Sequence, residues 1–429
     1  MPISYLHPRD EILALMQRIY GYRMTTTSGG NLSIREENGY LWITPARIDK
    51  GTLRRDDIVC VHPDGSAEGS RQPSSELPLH LAIYRSRPDF RGIVHAHPVA
   101  LVAFSIAHEI PDTHLFHQAF HVCGKAALAG YELPGSEALG RTVGEVFACG
   151  HDSVILENHG VVTGGASVAE AFRRFETLEF TAKTIIKARL LDEVRYLTEA
   201  EIALAGQPRE PLPEFEPAPP SSAEKELRNM LAEFVRRGYR QRLFISTEGS
   251  FSARLAGDSF LITPYRLDRA TAQPAELVLV KNGRAEAGKT ASRAAAVHHA
   301  IFRRCPEVGA IINAYPVNAT AFSVTGLALD TRTIPESYVV VRHVTRAPFG
   351  LQFDHPEAIA ARVSPATPAM LLENDGVLAT GSTVLEAFDR LEVIESTAEA
   401  LINCQAVGTL APMPDEAIRE LAVAFRLPV

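Results

Sequence analysis

Apolar residues near the start of the chain fall at Ile12, Leu13, Leu15, Met16 and Ile19, a helical spacing that predicts a helix from Arg9 to about Tyr20. Short β-branched and aromatic runs follow near 31–35, 40–44, 57–62, 92–97, 153–157 and 161–164. Gly, Asp and Asn break them, so they read as strands. A helix near 76–87 and a long one near 167–191 are predicted to cover them. A second opening helix is predicted from Ser222 to about Arg237. Strands and helices in this mixed order predict an α/β sandwich on a largely antiparallel sheet.

The pattern occurs twice. Ser28-Gly29-Gly30-Asn31-Leu32-Ser33-Ile34-Arg35 parallels Thr247-Glu248-Gly249-Ser250-Phe251-Ser252-Ala253-Arg254, and Trp42-Ile43-Thr44-Pro45 parallels Leu261-Ile262-Thr263-Pro264. Ala103-Phe104-Ser105 returns as Ala321-Phe322-Ser323, and Leu156-Glu157-Asn158-His159-Gly160-Val161 as Leu372-Glu373-Asn374-Asp375-Gly376-Val377. Two repeats of about 200 residues indicate duplication of a whole domain rather than a solenoid. Between them Pro208, Pro211, Pro213, Pro217, Pro219 and Pro220 predict an extended connector. The expected organisation is a first domain at 1–206, a linker at 207–222 and a second domain at 223–429.

Composition narrows the classes. A chain of 429 residues exceeds one ordinary core. A net charge of −8 with no basic stripe argues against nucleic acid as a partner. No apolar run reaches the roughly 18–20 residues that span a bilayer, so no membrane is expected. The stretch Met1–His7 lacks the basic and apolar regions of a signal peptide. Five cysteines with no CxxC read as reduced, mostly buried thiols of a cytoplasmic protein.

The chemistry concentrates in the first repeat. His95 and His97 lie two apart in a strand-like run, so both imidazoles are expected on one face. His159 follows an apolar strand at a turn, where Gly160 is expected to supply the permissive backbone. With Glu76 upstream they make a candidate divalent-metal site, suited to Zn²⁺, with Mn²⁺, Fe²⁺ or Co²⁺ also chemically reasonable. The second repeat serves as an internal control. About 218 residues on, His95 becomes Asn313, His97 becomes Tyr315, His159 becomes Asp375 and Glu76 falls opposite Ala294. Ser74-Ser75-Glu76 opens a predicted helix with Ser75 as its N-cap and Pro78 in the first turn. With Asn31 and Thr44 it outlines either a pocket for a phosphate or carboxylate, or plain capping beside two turns.

As a set, GGNLSIR (29–35), ITP (43–45), PSSE (73–76), HAHP (95–98) and ENHG (157–160) resemble the class II aldolase/adducin family. The resemblance covers nearly all of 9–206 and, more weakly, 223–425. It implies a three-layer αβα fold, a small-molecule substrate, and a ring of four subunits with sites between neighbours. It also implies that His95, His97 and His159 hold the metal, with Glu76 as fourth ligand and then acid/base once displaced. Asn31, Thr44, Ser74 and Ser75 match the family's phosphate cradle. The implied reaction is that of a lyase: retro-aldol cleavage or decarboxylation of a phosphorylated or carboxylated hydroxy-carbonyl compound, through a metal-stabilised enediolate. Sugar-phosphate epimerisation, dehydration or iron-dependent oxygenation on the same fold, and a non-catalytic adducin-like assembly role, are the alternatives.

Two departures bear on the substrate. Ala46-Arg47 stands where family aldolases carry Gly, and Arg47 either clamps a carboxylate or faces solvent. The loop 111–118, where family aldolases carry a proton-donating tyrosine, reads Pro111-Asp112-Thr113-His114-Leu115-Phe116-His117-Gln118. His114, His117 or His121 is the expected replacement, with His117 the choice for the catalytic set. The second repeat offers Tyr338, Arg342 and His343 in the equivalent loop. Tyr338 is therefore expected to serve a neighbouring site in a homodimer that mimics a four-domain ring.

Overall fold

The computed structural model describes residues 6–427; Met1–Tyr5, part of the stretch read for a signal peptide, lies outside it. The first repeat runs α1 (Pro8–Gly21), β1 (Asn31–Arg35), β2 (Leu41–Ile43), β3 (Val59–Val61), β4 (Ala67–Glu68), α2 (Leu77–Ser86) and β5 (Gly92–Ala96). It continues with α3 (Val99–Ala107), α4 (His117–Cys123), β6 (Ala127–Ala129), α5 (Glu137–Ala148), β7 (Ser153–Leu156), β8 (Gly160–Gly165) and α6 (Val168–Leu191). After α7 (Glu199–Gly206) and β9 (Glu214–Phe215) the second repeat follows: α8 (Ser222–Arg240), β10 (Ser250–Arg254), β11 (Ser259–Ile262), β12 (Val278–Lys281), β13 (Arg284–Glu286) and α9 (Ala295–Arg304). Next come β14 (Ala310–Ala314), α10 (Val317–Ser323), α11 (Pro335–Val341), β15 (Val344–Ala347), α12 (Leu351–Asp354) and α13 (Pro356–Ala360). The chain closes with β16 (Ala369–Leu372), β17 (Gly376–Gly381), α14 (Val384–Val407) and α15 (Asp415–Ala424).

The chain forms two compact units. One comprises Ala119–Lys183 with the described part of Met1–Thr113; the other comprises His114–Gln118 and Thr184–Val429, as far as it is described. The first holds an eight-stranded sheet in the order β4-β3-β2-β1-β5-β8-β7-β6. Its pairings are antiparallel except β6–β7. The second holds a nine-stranded sheet in the order β15-β16-β17-β14-β10-β11-β12-β13-β9. The proline-rich stretch thus supplies β9, a two-residue edge strand parallel to β13, the place in a sheet where prolines are tolerated.

One face of the first sheet packs Ile43, Val59, Ile93, Val154 and Val162 against Leu79 and Ile83 of α2 and Leu139, Val143 and Phe147 of α5. Buried Ile12, Met16 and Ile19 of α1 and Phe172, Phe175 and Leu178 of α6 belong to the other helical layer. This is the expected α/β class, in two copies. The helices α3 and α5 of the first unit, like α4, are not predicted from the sequence. α5 contains Gly140 and Gly144, residues that weaken a helical pattern. They serve close packing: a Cβ on Gly140 would stand 3.0 Å from the Pro78 carbonyl oxygen, and one on Gly144 3.0 Å from Ser86 Oγ. Among the described residues no helix is long and apolar enough to cross a membrane. The five cysteines are all free, with Cys60, Cys123 and Cys305 buried and Cys149 exposed.

Candidate metal centre

The site forms at the end of the sheet, where β1, β5 and β8 meet the start of α2. Asn31 of β1 pairs directly with His95 of β5, so the two share a sheet face with Ser33 and Ile93. His97 falls one residue beyond β5, just before Pro98, the N-cap of α3. Its ring reaches the site from this turn rather than from the strand, as the alternation rule had it. Asn158, at φ +53°, makes the tight turn between β7 and β8 that delivers His159. Gly160 has a different role from the expected one. A Cβ there would lie 2.6 Å from His97 Cδ2 and 2.7 Å from the Ala96 carbonyl oxygen, so the position needs empty space. Ser105 of α3 braces the turn, its Oγ accepting from the His159 N–H at 2.9 Å and donating to the Leu156 carbonyl at 2.7 Å.

His95, His97 and His159 each turn a ring nitrogen to one point, with the three ligand atoms within 4.8 Å of one another. His95 Nε2 lies 3.2 Å from His97 Nε2 and 3.0 Å from Glu76 Oε2, and His159 Nε2 lies 3.4 Å from Glu76 Oε1. His95 Nδ1 is 3.0 Å from the Val161 carbonyl oxygen, which can only accept. That contact puts a proton on Nδ1 and turns the Nε2 lone pair inward, the usual arrangement of a ligating histidine. Glu76 Oε1 and His159 Nδ1 are buried without a hydrogen-bond partner. The donor set therefore fits a tetrahedral divalent cation.

Electrostatics agree. Burial pushes Glu76 upward, but the charge and hydrogen bond of His95, then Asn31 and His159, hold its carboxyl well below the usual range. Burial drives His97 down to about 3, with His95 and His159 adding to it. Burial and His95 likewise bring His159 to about 4. Burial works to lower His95 as well, but the charge and hydrogen bond of Glu76, then the Val161 carbonyl, raise it. His97 and His159 are thus in the neutral state a metal requires, and His95 shares its proton with Glu76 where a cation would replace it.

The anion-pocket residues are placed as follows. Ser74 N donates to the Thr44 carbonyl at 3.1 Å, and Pro45 bridges Pro73, so the two turns run side by side. The N-cap of α2 is Glu76 rather than Ser75; Ser74 Oγ accepts from Glu76 N at 3.2 Å and Ser75 is exposed. Thr44 Oγ1 is buried and accepts from Leu32 N at 3.2 Å. Asn31 Nδ2 donates to Glu76 Oε2 at 2.6 Å. Arg47 is exposed at φ +49°, in the left-handed region that suits the glycine found there in family aldolases. Lys50, which sequence reading passed over, is 2% exposed and reaches the Pro45 carbonyl oxygen at 3.4 Å. Burial pulls it down to about 8.

The segment 114–118 is not the polar loop expected. Leu115, Phe116 and His117 are buried, and 114–118 belongs to the second unit. There His117 Nε2 lies 3.4 Å from Asp375 Oδ1. Gln118, also not singled out, donates through Nε2 to Asp375 Oδ1 at 2.5 Å and to Tyr315 Oη. Tyr315 Oη donates to Asp375 Oδ1 at 2.9 Å, and Gln352 Nε2 to Asp375 Oδ2 at 3.1 Å. The position that corresponds to the histidine cluster is closed by hydrogen bonds. Tyr338 is 6% exposed on α11, with the Arg342 guanidinium over its ring and His343 edge-on to it.

Comparison with known proteins matches the chain to sugar-phosphate aldolases and a decarboxylase. The chain is 32% identical over 197 residues to the 5-deoxy-D-ribulose 1-phosphate aldolase of Bacillus thuringiensis serovar kurstaki, covering 45% of this chain and 91% of that protein. It is 35% identical over 173 residues to an L-fuculose phosphate aldolase of Methanococcus maripaludis, covering 40% and 93%. It is 31% identical over 201 residues to the 3-oxo-tetronate 4-phosphate decarboxylase of Escherichia coli strain K12, covering 46% and 93%. Each relative is thus about one repeat long. The profile of the Class II Aldolase and Adducin N-terminal domain matches residues 10–186 and again 229–402, and the chain belongs to this family as a tandem duplication.

Proposed function

We propose that the first repeat is a divalent-metal-dependent lyase. It would break a carbon–carbon bond beside a carbonyl, by retro-aldol cleavage or decarboxylation, in a small phosphorylated or carboxylated hydroxy-carbonyl compound. The observation that carries this reading is the convergence of His95, His97 and His159 on one point beside Glu76. These four residues would hold the ion, Zn²⁺ by the chemistry of the set, with Mn²⁺, Fe²⁺ or Co²⁺ as substitutes. A bound ion would polarise the substrate's carbonyl and hydroxyl oxygens and offset the charge left when the bond breaks.

The chain's own residues do the rest. Glu76, which Asn31 orients through its 2.6 Å hydrogen bond, would take or return a proton once substrate displaces it. The paired turns at Thr44 and Ser74, with Ser75 and Arg47 exposed beside them, would hold the substrate's phosphate or carboxylate. His117 is held 3.4 Å from Asp375 and Tyr338 is packed under Arg342, so either would have to be released to donate a proton; Tyr338 is the donor we favour. It would come from the second repeat of another copy, in a homodimer of four repeats. The second repeat, with Asn313, Tyr315 and Asp375 in the ligand positions, would serve assembly.

Metal analysis and a turnover screen test this directly. Expected is one divalent ion per chain, lost in His97→Ala, and metal-dependent cleavage of a phosphorylated or carboxylated hydroxy-ketone. Two ions per chain would overturn the assignment of the second repeat, and none would leave the fold as scaffold only. Sedimentation as a monomer at full activity would sink the homodimer.

A further inference from the structure

Resting on that metal-site reading, we infer that His80 is a positioning residue. With Tyr84 and Ser33 it forms a one-way hydrogen-bond chain that fixes the Asn31 amide and aims its NH₂ at Glu76. The two elements that build the chain match in period. Glu76, His80 and Tyr84 recur every four residues along α2, about 6 Å per step. Asn31 and Ser33 recur every two along β1, about 6.6 Å per step. The two rows therefore interlock: Glu76 Oε2 to Asn31 Nδ2 at 2.6 Å, Asn31 Oδ1 to His80 Nε2 at 2.5 Å, His80 Nδ1 to Ser33 Oγ at 2.6 Å, and Ser33 Oγ to Tyr84 Oη at 2.9 Å.

Proton counting sets the direction. The Glu76 carboxylate accepts, so the Asn31 NH₂ must face it and Asn31 Oδ1 must face His80. That oxygen accepts, so His80 carries its proton on Nε2. His80 is fully buried, and burial brings it down to about 3, so it holds one proton and Nδ1 is bare. Ser33 Oγ then gives its proton to Nδ1, which leaves Tyr84 Oη as the donor toward Ser33, with Oγ at 2.9 Å and the Ser33 carbonyl oxygen at 3.2 Å as its acceptors. The opposite amide orientation would set Asn31 Oδ1 against a carboxylate oxygen at 2.6 Å, acceptor to acceptor.

The second repeat shows what the chain is for. α9 presents Ala294, His298 and Phe302 at the same spacing, and β10 presents Ser250 and Ser252. The middle contact survives, His298 Nδ1 to Ser252 Oγ at 2.6 Å, while His298 Nε2 lies 2.7 Å from Asn313 Oδ1 and 3.2 Å from Ser250 Oγ. Both ends are gone, with no hydroxyl at Phe302 and no carboxylate at Ala294. The histidine between two serines is packing; the extension through an amide to a carboxylate occurs where the three imidazoles occur.

The matched histidines make the experiment. In the full chain, His80→Leu and His298→Leu are compared by Zn²⁺ competition titration and by thermal unfolding in chelator. Both are expected to lower the melting temperature, and only His80→Leu to weaken Zn²⁺ binding, by about 10–100-fold. ¹⁵N NMR of the wild-type chain should show His80 as the neutral Nε2–H tautomer. Should His80→Leu fail to fold, Ser33→Ala serves: it should weaken Zn²⁺ and mix the tautomers. Unchanged Zn²⁺ affinity in a folded variant, or an Nδ1–H tautomer, would overturn the inference. A wild-type chain that binds no Zn²⁺ would instead defeat the metal-site reading.

Discussion

Lys50 carries a charge that its surroundings do not welcome. It is buried and held down to about 8, while in the unfolded chain it keeps its proton to its ordinary 10.5. Between those values the unfolded state binds more protons, so Lys50 makes stability rise with pH across that window. Wild type should gain on Lys50→Met by on the order of 1–3 kcal/mol between about pH 7.5 and about pH 10.5, read from denaturant midpoints. A constant difference would show that Lys50 is not buried as described. Gly160→Ala probes space instead of charge. Its Cβ would press on His97 Cδ2 at 2.6 Å, and metal affinity should fall about tenfold or more with the fold retained. Unaltered affinity in that variant would mean His97 can yield without losing the ion. Spacing and residue type made the gathering of His95, His97 and His159 beside Glu76 legible in the sequence, because imidazoles and a carboxylate are rare together. Lys50 and Gln118 were not legible. A lysine reads as surface and a glutamine as nothing in particular until burial is known.

At the scale of elements, the α3 N-terminus depends on one buried carboxylate. Glu179 of α6 accepts from Leu101 N at 3.0 Å and Ala100 N at 3.4 Å, and pairs with Lys183 at 3.1 Å. Burial pushes its carboxyl up against those partners. The second repeat keeps the device, with Glu395 of α14 accepting from Asn318 N at 3.1 Å and Ala319 N at 2.8 Å. Glu179→Ala would strand those N–H groups in the interior and should cost about 1–3 kcal/mol, measured by urea unfolding. A loss under about 0.5 kcal/mol would mean water replaces the carboxylate. Hydrophobic period located α1, α2, α6 and the site strands to within a residue or two. α3 escaped because its buried Ala100, Leu101, Phe104 and Ser105 lie in an almost wholly apolar run with little contrast between faces. His97 escaped the strand rule for a related reason: Pro98 ends β5 and begins α3, and the histidine falls in the joint.

For the whole molecule, the useful contrast is between a unit whose ligands converge and a unit whose equivalents are bonded to one another. Adding Zn²⁺ at about 100 times its dissociation constant should raise only the first unit's unfolding transition in calorimetry, by about 2.7 kcal/mol. Gln118→Leu should lower the second unit's transition alike with Zn²⁺ or chelator, because Asp375 loses its 2.5 Å donor. Both transitions moving with Zn²⁺ would contradict the closed second position. The duplication itself was readable from aligned motifs. That Gln118 of the first repeat's sequence is spent inside the second unit was not, since pairing across 257 positions leaves no local pattern.

That donor has a further meaning. An amide NH₂ that bridges an acid and a phenol does the work of a missing ion with material the ribosome always provides. The fold of that half should therefore be indifferent to mineral supply, and scarcity of the ion proposed for the other half would idle only the reaction proposed there.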